Sequence, residues 1–529
     1  MMKYFSYWIL VLLVVACNDN SKPEGKNDIG NRSVTSPDSA SHIAAFDSSS
    51  LEGIINYYHY NDSIVTRLKK FYSSRNYQFA WFRQNNLAEQ GFNFWNAQTA
   101  YIAYTRDSSL FNPSLQQLMD TLSHESVLDD SNKLNTEVEL SAQFFRYARR
   151  AYQGNIRLGE HELDWFIPRK RIDMLNLLDS LIKHKGENMA AYEPVNRQYQ
   201  LLKDKLLEYY RLAENGGWPE IDKTVKKLKK GDSSLAVHAL KTRLHTTGDY
   251  NSSDTSWLFT DELQMAVKNF QRRYGLREDG EVGGNTLQHL NQPVEILIRQ
   301  ILVNMERMRW IPKEPKGDFI LVNIPQYRLI VYEKGKRMFA MNIVAGSSQN
   351  QTVIFTGDLK YVVFSPYWNI PPSIIKKEIL PGIKRDKNYL AKHNMEWNNG
   401  AVRQKPGPNN SLGKVKFLFP NNYNIYLHDT PAKSLFDEPK RAFSHGCIRL
   451  ADPKKLAMWA LRNQPEWTED RINKAMNSAK EKFVTLSATI PVFLGYFTAW
   501  VDEEGKINFR DDIYGHDIKL AEHLFNKVD

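Results

Sequence analysis

Hydrophobic periodicity changes character once along this chain, and that change limits what it can fold into. From about Leu51 to Asp222 apolar residues recur three and four apart, as in Ile64-Val65-Thr66-Arg67-Leu68 and again from Leu201 to Leu207. A last helical pattern runs from Val294 to Arg309. Beyond it the residues 319–324, 327–333 and 338–344 are β-branched and aromatic runs bounded by Gly and Pro, which argue for an antiparallel sheet. The expected fold is multidomain α+β, with helices first and strands afterwards. At 529 residues the chain exceeds one ordinary core, so two or three domains are expected.

The N-terminus reads as a targeting signal. Lys3 precedes an apolar run that is shorter than the about 20 residues a bilayer span needs, as in a signal-peptide core. It ends in Val14-Val15-Ala16-Cys17, which resembles the bacterial lipoprotein processing site. The resemblance implies residues 1–17 as signal and lipidation site, with Cys17 acylated. The chain would then be lipid-anchored to the inner or outer membrane, on the periplasmic side of a bacterial envelope. Residues 18–50, rich in Ser, Asn, Asp and Gly, are expected to form a disordered tether. The chain has two cysteines, so a lipidated Cys17 leaves Cys447 as a single thiol with no disulfide partner. A formal charge of +10 suits an anionic membrane or wall polymer. No Lys/Arg block carries interleaved aromatics, so nucleic acid is not expected as a partner.

Residues 51–225 show no titratable set at catalytic spacing and read as a helical scaffold. Residues 230–292 form a compact unit. Val237, Leu240 and Leu244 line one helical face, and Leu263, Ala266, Val267 and Phe270 line a second, with Asp261 as its expected N-cap. Asp279-Gly280 supplies a turn, and a third helix begins at Thr286. The string Ala266–Leu276 (AVKNFQRRYGL) followed by Asp279–Gly283 (DGEVG) closely resembles the three-helix peptidoglycan-binding module. Residues 317–480 are expected to be a mainly β domain. Within it the long polar stretch 376–410 has the length of a lid-like insertion, and residues 481–529 complete the fold.

Two strings carry chemistry. Alternation along Ile425-Tyr426-Leu427-His428-Asp429 puts Tyr426 and His428 on one face of a strand. Fifteen residues separate His428 from Ser444-His445-Gly446-Cys447-Ile448-Arg449-Leu450. A helical pattern from Pro453 is expected to place the cysteine near a helix start, where turn N–H groups of Ser444, His445 and Gly446 would favour a thiolate and hold an oxyanion. His428 can take the thiol proton and later protonate a leaving amine, giving a thiolate–imidazolium pair suited to acyl transfer. The orienting third group is expected to be a backbone carbonyl, that of Asp429. Three other readings stay open: a buried structural cysteine, a zinc site from His428, His445 and Cys447, and a plain intradomain salt bridge for Arg449 in place of a grip on a substrate carboxylate.

His428, the fifteen-residue spacing and the Ser-His-Gly-Cys run with Arg449 two beyond together resemble the L,D-transpeptidase signature. Trp368-Asn369-Ile370-Pro371-Pro372, Pro406–Gly413 and Tyr426–Pro431 are similar to the large branch of that family, which carries a helical scaffold and a peptidoglycan-binding module. The resemblance implies Cys447 as nucleophile and His428 as general base and acid. It also implies attack on the amide before the terminal D-Ala of a tetrapeptide stem, and a 3→3 cross-link to the amine of a neighbouring stem, a role in wall biogenesis and cell shape. It implies no metal or cofactor, and susceptibility to carbapenem-type inhibitors. Trp368 and Tyr426 would wall the groove, with packing the alternative role for each. The same thioester could instead be resolved by water, a free D-amino acid or a protein lysine. A different class of reading is a non-catalytic lipoprotein that binds the wall.

Overall fold

The computed structural model describes residues 44–123, 128–154, 159, 161–187, 189, 193–311 and 317–525. The leader, Cys17 and most of the proposed tether lie outside these residues. Among the described residues no helix is long and apolar enough to cross a membrane.

Among the described residues the N-terminal half is built from α1 Ser48–Tyr58, α2 Asp62–Ser74, α3 Glu89–Thr105, α4 Pro113–Ser123, α5 Asp130–Ala148, α6 Met174–Lys183 and α7 Arg197–Glu214. Polar N-caps start most of them, with Asp47, Asn61, Asp129, Asp173 and Asn196 each accepting a first-turn N–H. Structure begins inside the stretch read as tether, since Ala45 bridges Gln78 and α1 opens at Ser48. The aromatic-rich segment after α2 is not helical. Its backbone N–H groups at Ala80 and Trp81 donate to the buried Glu137 carboxylate of α5 at 2.6 and 2.9 Å, and the Tyr72 hydroxyl donates to it as well. Burial still raises the Glu137 pKa to about 7, because three donors offset only part of the desolvation.

The next unit holds α8 Leu235–Thr246, α9 Asp261–Tyr274 and α10 Gly284–Leu290. All seven face residues named from the sequence are buried. The α9 cap is Thr260 instead of Asp261: the Thr260 hydroxyl accepts from Leu263 N, and Asp261 falls into the first turn. Helix α11, Val294–Trp310, then links the halves. Its Arg309 reaches Ala151 O and the Tyr199 hydroxyl, its Asn304 bonds Thr498, and its Arg307 pairs with Asp517 at 2.5 Å. One hydrophobic cluster therefore runs from Leu51 to Leu520.

The C-terminal half is stranded. Its main sheet uses β1 Phe319–Asn323, β2 Arg328–Glu333, β3 Lys336–Gly346, β4 Ile354–Phe364, β8 Val415–Leu418, β9 Leu427–His428, β10 Ala442–Ser444, β11 Ile448–Leu450 and β12 Lys482–Gly495. The order is β8-β9-β11-β3-β2-β1-β12-β4, and β4 pairs back onto β8, so the sheet closes on itself. Strand β10 pairs beside β3, and the helical half adds the short strand Trp165–Phe166 to β4. The expected α+β class holds. The stretch 376–410, read as a lid-like insertion, is folded: its β6 Met395–Asn398 and β7 Ala401–Gln404 pair with β5 Trp368–Asn369, just before it, in the order β5-β7-β6. Helical turns between them bury Ile370, Ile374, Ile379 and Val402 in a second small core.

Gly275 ends α9 with φ +67, and a Cβ there would lie 2.5 Å from Arg510 Nε. The Arg510 guanidinium fills that space and donates to the helix-end carbonyls of Arg272 and Arg273. Gly275→Ala is expected to cost about 1–3 kcal/mol of stability, read as a lowered urea midpoint. An unchanged midpoint would show that this seat does not hold the unit against the C-terminal segment.

Candidate active site

Strands β9 and β11 run parallel, with Leu427 beside Ile448 and His428 beside Arg449. This register brings the two chemical strings together. His428 is buried, and its Nδ1 lies 2.5 Å from the Asp429 carbonyl, the partner expected from the sequence. A carbonyl only accepts, so Nδ1 carries the proton and Nε2 is left with its lone pair. The Asp429 carboxylate is engaged elsewhere, accepting from Lys414 N at 2.8 Å and Lys433 Nζ at 2.7 Å.

Cys447 sits on the turn between β10 and β11. No helix starts at it: Ile448–Leu450 continue as strand against β3 and β9, and the helix begins only at Pro453. The helix-dipole stabilisation expected for the thiolate is therefore not supplied. The turn is shaped by hydrogen bonds instead. Ser444 Oγ donates to Cys447 O at 2.5 Å and accepts from Gly446 N at 3.1 Å, so the Gly446 N–H expected to face an oxyanion is already used. Gly446 adopts φ +114, a conformation only glycine takes readily. Its carbonyl accepts from Thr352 Oγ1 at 2.8 Å, and that threonine hydroxyl accepts in turn from Gly346 N at 2.9 Å. Tyr514 completes the support by donating to Gly346 O at 2.6 Å. Thr352 and Tyr514 lie far from the Cys447 string in sequence, and no local pattern marks them.

The thiol is half-buried. Sγ is 3.5 Å from Asn424 O, and it meets the Tyr426 backbone N–H and hydroxyl; that hydroxyl also bonds Trp368. The Tyr426 and His428 ring centroids lie 5.7 Å apart, on the common face expected for them. Burial raises the Cys447 pKa, and the Tyr426 donors and Arg449 reverse only part of the rise. Burial, then the Arg449 charge, lower His428 to about 4. Both shifts favour uncharged forms at neutral pH, so the resting pair is thiol and neutral imidazole in place of the expected thiolate–imidazolium pair.

The other residues named from the sequence divide. Arg449 is beside His428 and forms no salt bridge among the described residues, and its buried Nε has no hydrogen-bond partner there. His445 turns outward to the insertion, 3.6 Å from Glu378, away from His428. Among the described residues no group of three His, Cys, Asp or Glu side chains is placed to hold a metal.

The site thus sets a cysteine on a glycine turn, and a histidine whose tautomer is fixed by a carbonyl on the adjacent strand. Residues 317–471 match the family model of the L,D-transpeptidase catalytic domain, residues 66–206 that of the scaffold domain, and residues 233–290 one described as "Putative peptidoglycan binding domain". The chain thus carries an L,D-transpeptidase catalytic domain joined to a scaffold domain and a peptidoglycan-binding-type domain. It is 35% identical over 249 residues to a "Putative L,D-transpeptidase" of Haemophilus influenzae; the match covers 43% of this chain and 50% of that protein's length. Solved structures give weaker likenesses. An L,D-transpeptidase from Stackebrandtia nassauensis is 17% identical, covering 53% of this chain and 97% of that one at a TM-score of 0.23. L,D-transpeptidase 3 from Mycobacterium tuberculosis, in complex with a faropenem-derived adduct, is 16% identical, covering 34% and 61% at 0.19. Scores this low carry no weight for the site.

Thr352→Val keeps the shape but leaves Gly446 O and Gly346 N without a partner. It is expected to cost about 1–3 kcal/mol and to lower thiol reactivity, checked by urea denaturation and alkylation of Cys447. Wild-type alkylation rates in that variant would remove the threonine from the account.

A second expectation concerns acid. The folded His428 pKa of about 4 lies below the unfolded value of about 6.5, so the folded state binds fewer protons between them. Its contribution is whole above about pH 6.5 and is lost as pH falls toward 4. The stability gap between wild type and His428→Gln should shrink by about 3 kcal/mol from pH 7 to pH 4. A pH-independent gap would contradict the burial of a neutral imidazole.

Proposed function

We propose that this chain is a cysteine-dependent L,D-transpeptidase that forms 3→3 peptidoglycan cross-links in a bacterial envelope. The observation that carries the reading is the β9–β11 register, which sets an Nε2-basic imidazole on the strand next to the thiol. In the first half-reaction Cys447 Sγ attacks the carbonyl of the third stem residue as its proton passes to His428 Nε2. The tetrahedral intermediate collapses, the bond to D-Ala breaks, and the imidazolium returns the proton to the leaving amine. A thioester remains. In the second half-reaction the side-chain amine of a neighbouring stem attacks, His428 takes its proton, and the thiol is restored. Because both groups rest uncharged, proton transfer accompanies attack and no preformed ion pair is required.

The remaining roles follow from position. Arg449, charged and unpaired beside the histidine, is suited to a stem carboxylate. Trp368 holds the Tyr426 hydroxyl against the sulfur and forms part of the folded insertion, whose Glu378 meets His445. The insertion would cover the donor stem and exclude water, favouring aminolysis over hydrolysis. Signal, Cys17 lipid and tether would hold the enzyme at the periplasmic face of a membrane, with the module at 233–290 engaging the wall.

The test is muropeptide analysis of tetrapeptide-rich sacculi incubated with the protein. Release of D-Ala and appearance of 3→3 dimers are expected. Cys447→Ala should abolish both, and His428→Gln should slow them by about 10²–10⁴-fold while the protein stays folded. Dimers formed by Cys447→Ala would place the nucleophile elsewhere. D-Ala release without dimers would favour another acceptor for the same thioester, and neither product with the wild type would favour a wall-binding lipoprotein.

A further inference from the structure

A cavity of about 680 Å³ opens where four parts of the chain meet: helix α7, the end of α9, strands β2 and β3, and the hairpin formed by Ala499–Val501 and Ile507–Phe509. Six arginines line it, Arg197, Arg272, Arg328, Arg337, Arg441 and Arg510, against three carboxylates, Glu278, Asp502 and Glu503. Two of those acids are already committed, Glu278 to Arg272 at 2.9 Å and Glu503 to Arg337 at 3.3 Å. Three arginines are held only by neutral groups. Arg328 donates to Asn342 Oδ1, Arg441 to the carbonyls of Ile343, Glu438 and Tyr327, and Arg510 to the carbonyls of Arg272, Arg273 and Phe509. Burial lowers the pKa of all three. Arg337 lowers Arg328 further, Arg328 lowers Arg441, and Arg441 lowers Arg510, which falls to about 9. Guanidinium groups stay charged at neutral pH, and at Arg510 the nearby Asp511 and Glu278 carboxylates offset only part of the shift.

Such a cluster destabilises the fold unless an anion completes it. The volume is far larger than a single phosphate needs and lies in the range of drug-sized ligands. Leu201, Ile330 and Trp500 give the wall apolar surface as well as charge. One of its arginines, Arg441, immediately precedes β10, the strand that ends at the turn bearing Cys447.

We infer that this cavity binds a short peptide carrying two or more free carboxylates, through the arginine cluster of Arg328, Arg337, Arg441 and Arg510. The inference rests on the wall-enzyme reading only for the choice of such a peptide as a second stem, held apart from the reacting one.

The experiment is calorimetric titration of the full chain with L-Ala-γ-D-Glu-meso-diaminopimelate, its fully amidated form, and inorganic phosphate. The tricarboxylate should bind, and both amidation and the Arg328→Gln/Arg337→Gln double variant should weaken binding by at least about tenfold. Those two arginines make no backbone bonds among the described contacts, so the double variant should fold, which its thermal midpoint would confirm. Cys447→Ala should bind as the wild type does, although it forms no cross-links, and this separates failure of the site from failure of the proposed reaction. Unchanged affinity in the double variant would overturn the inference, as would binding that disappears in Cys447→Ala. Phosphate competing on equal terms would also overturn it, by showing a general anion site.

Discussion

The chemistry of this chain depends on a parallel pairing only two residues long. Leu427 and His428 align with Ile448 and Arg449, and that register sets the histidine on the strand next to the one that Cys447, nineteen positions away, leads into. Parallel neighbours cannot be joined by a tight turn, so the chain between them must travel. It does so through residues 429–447, leaving the sheet, returning as β10 beside β3, and turning at Gly446. The contacts around the site protect this register. Asp429 serves twice, its carbonyl fixing the imidazole and its carboxylate tying Lys414 and Lys433 to the strand end. Ser444 and Thr352 shape the turn from opposite sides.

Burial outweighs charge at this site. Arg449 and the Tyr426 donors favour a thiolate, yet desolvation is the largest influence on both Cys447 and His428 and drives each toward its neutral form. A neutral pair has a chemical use. In the proposed reaction an unprotonated imidazole would be ready to accept a proton from the thiol and later from an incoming amine, and a protonated thiol resists oxidation. In the proposed reaction, activation would fall to the substrate, whose binding would displace water and bring charge to Arg449.

Much of this was legible in the sequence because the signals were local. Helical periodicity placed the buried faces of α8 and α9, and alternation placed Tyr426 and His428 on one face. The Asp429 carbonyl was accessible to reasoning because it is one residue from the ring it holds. What failed depended on distance or on competition between local preferences. Ile448-Arg449-Leu450 could have led into the helix at Pro453, and pairing with β3 and β9 made it a strand. Residues 376–410 have sparse apolar positions, and two of them, Ile379 and Val402, still join Ile370 and Ile374 in a small core once β5 and β7 pair. Closure of the sheet by β4 and β8, and support of the turn by Thr352 and Tyr514, join segments with no common pattern.

The account stands on a covalent bond between one sulfur and one acyl group. Rapid acid quench of the protein with a tetrapeptide stem, without acceptor, followed by peptide mapping, observes that bond directly. The expected result is a single acyl adduct on Cys447, lighter than the substrate by one alanine unit and removed by hydroxylamine. An adduct on another residue, or steady release of D-Ala with Cys447 never modified, would contradict it.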